Sequence, residues 1–263
     1  LGDAYPQAMI AFACFGNGGL THKIIYDTAM GQREDGMTYS FHPGDAKEQN
    51  HIIPDYCLYW IQIIWDYYMY EGDDENLSML KDLYPRMINA LKWFEKYIDP
   101  KTNLLTDIPH WTFVDWSIID KKGAVAVVNA QFADCCRILS RIGNLIGDSS
   151  YSLYYIKLAK KIERAIQMYF WDEKMQVFRD NIFHGKHGEQ ITQHTNGYLM
   201  LLGLVPHEKK QELFSSIFDR PDEEIKKQLW AFSEELPNKY EKGVDVLVAQ
   251  PFFMHHLNKL FAK

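Results

Sequence analysis

Residues 109–116 read Pro-His-Trp-Thr-Phe-Val-Asp-Trp and carry no helical period. They set Trp111, Phe113 and Trp116 around a single carboxylate, Asp115. An indole face stacks on the apolar face of a pyranose, and a carboxylate accepts hydrogen bonds from vicinal hydroxyls. The same stretch equally describes a loop cluster that plugs one end of a helical domain, with Asp115 capping a helix. Three further candidates stand where apolar segments begin: Asp3 after Gly2, Asp55 after Pro54, and His194 in Gln193-His194-Thr195-Asn196. Each has a plainer role available. Asp3 can serve as an N-cap, Asp55 can favour a helix dipole from the first turn, and His194 can be a satisfied structural histidine.

The segments that must position these residues alternate in kind. Residues 4–15, 54–70, 124–146, 195–204 and 244–261 are apolar on most sides. Residues 20–34, 75–98, 151–170 and 208–218 are apolar on one face only, as in Leu80, Tyr84, Met87, Ile88 and Leu91 at three-and-four spacing. A helix apolar all round must be enclosed, whereas a one-sided helix can cover it and face water. This predicts an all-α chain of four helix pairs and a ninth helix, in inner and outer layers. The punctuation repeats, Gly72-Asp73 recurring as Gly147-Asp148, which fits a toroid or a solenoid of helix hairpins. A closed ring of six pairs needs twelve helices, so a partial ring is expected. Residues 176–179 and 181–184 are expected to form a minor β-hairpin. The loops that lead into the inner helices would share one rim. They carry Asp3, His42, Asp45, Glu48, His51, Asp55, Trp111, Asp115, Trp116, His194 and Asp245.

The totals exclude several classes. A length of 263 residues without a linker predicts one domain over residues 1–263. A net charge of -7 with no basic cluster argues against nucleic acid as a partner. No run of 18 uncharged apolar residues occurs, so no membrane span is expected. Cys14, Cys57, Cys135 and Cys136 fall in apolar runs and read as buried hydrophobes. His255-His256 on one helix does not make a metal pair, and no phosphate-loop or dinucleotide motif is present. No metal and no cofactor are expected, and the compartment stays open.

Several motifs occur in a telling order. They are Gly2-Asp3-Ala4, Gln32-Arg33-Glu34-Asp35-Gly36, Ile52-Ile53-Pro54-Asp55-Tyr56 with Leu58-Tyr59-Trp60, Asp66-Tyr67-Tyr68-Met69-Tyr70-Glu71-Gly72-Asp73, Phe113-Val114-Asp115-Trp116 and Gln193-His194-Thr195-Asn196. Together they resemble the catalytic domain of bacterial α-L-rhamnosidases of glycoside hydrolase family 78, over nearly the whole chain. The resemblance implies an (α/α)6 toroid, the six-hairpin barrel, truncated here at both ends. It implies inverting hydrolysis of terminal α-L-rhamnose, with a carbohydrate substrate and flanking domains of a parent chain as partners. Its two catalytic carboxyl groups would stand roughly 6.5–9.5 Å apart. In the family the general-acid and general-base glutamates fall before Leu1 and after Lys263. By that resemblance Asp3 is the catalytic-site residue of this chain, matching the aspartate that grips sugar hydroxyls near the acid, and Asp55, Trp111, Asp115, Trp116 and His194 fall on motifs near the pocket and are carried over as substrate-binding. A related helical-toroid hydrolase or phosphorylase for another sugar, or a non-catalytic glycan-binding toroid, stands as the alternative.

Overall fold

The computed structural model describes residues 1–44, 51–219 and 246–262. It consists of two compact units, Leu1–Phe113 with Gln131–Ile162, and Val114–Ala130 with Glu163–Lys263. Asp45, Glu48, Asp245 and the start of the helix expected over 244–261 lie outside the described residues.

The first unit holds α1 (Ala4–Phe15), α2 (Gly19–Met30), α3 (Pro54–Glu71), α4 (Asp74–Glu95) and parts of α5 (Ala126–Ile146) and α6 (Ser149–Tyr169). The repeated Gly-Asp pair has a local cause. Gly72 takes φ 49°, a left-handed geometry without penalty for glycine, and closes α3 through its N–H to Tyr68 O. Asp73 then caps α4 by accepting the Asn76 N–H at 2.8 Å. Gly147 at φ 85° and Asp148, which accepts the Tyr151 N–H at 3.1 Å, repeat the device between α5 and α6.

Burial follows the expected alternation from α3 onward. Helix α3 buries Leu58, Tyr59, Trp60, Ile61, Ile63 and Ile64, and the Trp60 indole N–H donates to Ile25 O at 3.1 Å. Helix α4 buries one stripe, and α6 buries Tyr155, Ala159, Ile162 and Ile166 while Leu153 and Tyr154 face outward. Helix α1 departs from the expectation. Only Tyr5, Ala8 and Phe12 are buried, Ile10 and Phe15 are 58% and 78% exposed, and Cys14 is exposed rather than buried. Helix α2 stops at Met30 instead of running to residue 34. Gly31 follows it, and the loop beyond is closed by the Arg33 N–H on Met37 O and by Gln32 Nε2 on Gly36 O.

The second unit holds β1 (Ala124–Val125), β2 (Trp171–Asp172), β3 (Val177–Phe178), β4 (Asn181–Phe183), β5 (Lys186–His187), α7 (Gln193–Leu201), α8 (Lys210–Phe218) and α9 (Met254–Phe261). The expected hairpin between residues 176–179 and 181–184 does not form. A single residue, Asp180, cannot reverse the chain between them. Instead β3 pairs with β2, and β4 pairs with β5 and with β1. The β4–β5 turn places His184 at φ 50° and Gly185 at φ 73°, the pair of positive angles that a tight two-residue hairpin requires. Asn196 on α7 bonds both backbone groups of Phe178, its Oδ1 accepting the N–H at 2.9 Å and its Nδ2 donating to the carbonyl at 3.0 Å. Among the described residues the last helix begins at Met254, and residues 246–253 of the expected helix are not helical. Leu247 instead bridges to Thr192 in parallel, and Pro251 disfavours helical geometry at Gln250.

Among the described residues no helix is long and apolar enough to cross a membrane, and no group of three His, Cys, Asp or Glu side chains could hold a metal ion.

Candidate functional site

The six residues singled out above divide between the units. Asp3, Asp55 and Trp111 belong to the first, and Asp115, Trp116 and His194 to the second.

In the first unit Asp3 stands at the N-cap position of α1, yet its side chain caps nothing. Its backbone is already helical, at φ -63° and ψ -23°, and the carboxylate is exposed. Asp55 differs. Pro54 starts α3, where a missing N–H is no loss, and Asp55 follows it with no surface exposed. Its Oδ1 accepts the Phe113 N–H at 2.9 Å. Phe113 in turn meets Trp111 at 5.6 Å between ring centroids and Tyr56 edge-on at 5.7 Å. Asp55 therefore fixes the backbone from which Trp111 projects, 55% exposed.

Tyr56 joins these residues to Asp3. A methyl group on Gly2 would overlap the Tyr56 ring and lie 2.8 Å from its hydroxyl, so only glycine lets the phenol lie over this backbone. Burial, then the charges of Asp55 and Asp3, push the Tyr56 phenol well above its ordinary range, so it stays a protonated donor at any physiological pH. Tyr56 appears in the sequence only as a member of a motif and not by role, because its partners lie at positions 2, 3, 55 and 113.

In the second unit Asp115 is buried and fully engaged. Its Oδ2 lies 2.7 Å from His194 Nε2 and accepts the Gln250 N–H at 2.7 Å, and its Oδ1 accepts the Trp116 N–H at 2.8 Å. His194 is also buried and meets Phe253 edge-on at 4.8 Å. The expected picture of aromatic rings around an open Asp115 carboxylate does not hold, since its oxygens are taken by the protein. Asp55, Asp115 and His194 offer no surface to a ligand here. Trp116, 60% exposed, does. The loop that carries these residues is strained. Val114 has φ 59°, an outlier for a β-branched residue, costing on the order of 1–3 kcal/mol.

Asp180, another residue with no local sequence signal, is buried beneath α7. Its Oδ1 accepts the Thr192 hydroxyl at 2.8 Å. Burial raises its carboxyl from 3.8 to about 6, against the opposing effects of the Thr195 and Thr192 hydroxyls and the His194 charge. The folded chain therefore holds this proton more tightly than the unfolded chain. Its contribution favours folding in full below pH 3.8 and is lost as pH rises through about 6, a change of ~3 kcal/mol. Asp180→Asn keeps an acceptor for Thr192 and removes the ionisation. The variant should melt higher than the wild type above pH 6 and show a flatter Tm profile between pH 4 and 6, as read by thermal melts across that range.

The comparisons agree with this architecture. The bacterial alpha-L-rhamnosidase six-hairpin glycosidase domain matches residues 1–227. The structure of the family 78 rhamnosidase of Bacillus sp. GL1 superposes with a TM-score of 0.74 at 19% identity, covering 84% of this chain and 23% of that one. That of a rhamnosidase from Klebsiella oxytoca with rhamnose bound gives a TM-score of 0.74 at 16% identity, covering 100% of this chain and 45% of that one. The chain thus spans less than half the length of either. At these identities the likeness establishes the fold, a six-hairpin α/α toroid. No curated protein matches by sequence. The match over residues 1–227 carries the further conclusion that the chain belongs to the bacterial alpha-L-rhamnosidase six-hairpin glycosidase family.

Proposed function

We propose that this chain is the sugar-holding part of a single toroidal α-L-rhamnosidase domain, which releases terminal α-L-rhamnose with inversion. The observation that carries the reading is Asp3. A carboxylate at a helix N-cap position normally bonds the first-turn N–H groups, whereas this one does not and stays open to solvent. Asp3 accepts hydrogen bonds from the sugar hydroxyls, and the Tyr56 phenol donates one beside it. The exposed indole of Trp111, in the same unit as Asp3 and Tyr56, supplies a face for the apolar ring surface and the methyl group. Asp55 holds the backbone that carries Trp111 and so positions this contact without making it, while Asp115 and His194 hold the backbone at Trp116. The general acid and base are the glutamates that the family resemblance assigns outside residues 1–263.

Titration calorimetry with L-rhamnose, alongside indole fluorescence, tests the proposal. A saturable response to L-rhamnose and none to D-glucose is expected. A response to another sugar and none to L-rhamnose would favour a related helical-toroid enzyme instead. Tyr56→Phe should weaken rhamnose binding about 3–10-fold, the worth of one hydrogen bond, with little change in Tm. Unchanged affinity in that variant would remove Tyr56 from the site.

A further inference from the structure

Residues 107–112 run between two fixed points. At one, the Ile98–Leu105 bridge and the Thr106 N–H on Tyr97 O at 3.0 Å tie the chain to the residues that follow α4. At the other, the Phe113 N–H is held by Asp55 Oδ1 at 2.9 Å, in the first turn of α3. Between them the sequence itself sets the shape. Asp107 and His110 take φ 47° and 71°, and aspartate and histidine are among the residue types that tolerate the left-handed region. Pro109 fixes its own φ and disfavours helical geometry at Ile108. A loop built this way is shaped before a ligand arrives, so little ordering entropy is lost on binding.

The loop presents two consecutive rings on different supports. Trp111 meets Phe113, which meets Tyr56, and so belongs to the neighbourhood of Asp3. His110 instead lies near-parallel to the Trp93 ring of α4, with 25° between planes and 6.4 Å between centroids, and Trp93 meets Tyr97 at 4.9 Å. Trp93 is buried, whereas His110 is exposed. Aromatic surface therefore continues past the place given to rhamnose, from the start of α3 to the end of α4, all within the first unit. One indole face is enough for a single pyranose and its methyl group. A group joined to a terminal rhamnose must lie beside the sugar, and the next ring along this loop is His110.

We propose that His110 is a specificity-determining residue for the leaving group: its imidazole, backed by Trp93, stacks on an aryl group joined to rhamnose. Offset and edge-on contacts between flat rings are favourable beyond the area they bury. The inference rests on the rhamnose reading of Asp3 and Tyr56 and adds to it the class of aglycone.

Calorimetric titration with phenyl α-L-rhamnoside and methyl α-L-rhamnoside tests it, because the sugar is common to both. The phenyl compound should bind about 10-fold more tightly. His110→Asn and His110→Gly both tolerate the left-handed backbone and lack the ring. Each should bring that ratio down to about 2, at the wild-type Tm. Asp3→Asn should weaken both compounds and leave the ratio as it is. Equal binding of the two compounds by the wild type overturns the inference and leaves the rhamnose reading standing. Binding of neither compound ends the rhamnose reading and this inference with it. A wild-type ratio in both His110 variants also overturns the inference, and a lowered Tm beside it would mark the imidazole as a cover for Trp93 alone.

Discussion

Asp3→Asn should weaken L-rhamnose binding by about 100-fold, because a charged acceptor serving sugar hydroxyls contributes roughly 1.5–3 kcal/mol. The asparagine keeps the shape and one acceptor oxygen while losing the charge. The same variant should melt at the wild-type temperature, since the Asp3 side chain caps no N–H and is exposed. The pairing of the two results is what discriminates. Were Asp3 a structural cap, stability would fall and affinity would move little. Calorimetric titration and a thermal melt on one preparation decide it. Rhamnose affinity within a factor of two of wild type would end the assignment of Asp3 to the site.

Asp115→Ala should have the opposite signature and the largest effect on folding. It leaves His194 Nε2 and the Gln250 N–H without their acceptor in a buried setting, and frees the Trp116 N–H. Removing one partner of such a network costs about 3–5 kcal/mol. For a chain of this size that corresponds to a fall in Tm of about 10 °C. Asp115→Asn retains one acceptor oxygen and should lose less. A melt of Asp115→Ala within a degree or two of wild type would show that the pair does not hold the Trp116 backbone.

Much of this molecule can be read from local rules. The Gly72-Asp73 and Gly147-Asp148 pairs mark helix boundaries because each residue does a separate, local job. Asp3 stands out in the sequence through the company it keeps with Gly2 and Ala4, and the structure leaves its carboxylate exposed and without a cap bond. Asp55, Asp115 and His194 stand out in the sequence by motif, but the use the fold makes of them does not. Motif and residue type do not reveal that their polar atoms are turned into the protein. Tyr56 and Asp180 stayed hidden for a related reason, since what distinguishes them comes from residues far along the chain. The strand pairing was misread because residues 176–184 look continuous in β-propensity. Whether such segments pair with each other depends on the chain left for a turn, and Asp180 alone is too little. The helix expected over 244–261 shows the same limit. Apolar character matches the burial of Val246, Val248, Ala249, Phe252 and Phe253, but the Leu247 backbone is spent on Ile191 and Gln193 in a parallel bridge and not on a helical ladder.

Asn196 has a consequence for how this region can change. Its amide presents one donor and one acceptor to Phe178, as an adjoining peptide unit would, and so closes the outer edge of the β2–β3 hairpin against strand addition. Aspartate could not replace it, having no donor to offer the carbonyl. With both ends of residues 178–196 tied together, an insertion or deletion between them must be absorbed without sliding the helix along the hairpin. The protruding His184-Gly185 turn is where such a length change can be accommodated at least cost, and it is where related chains would be expected to vary.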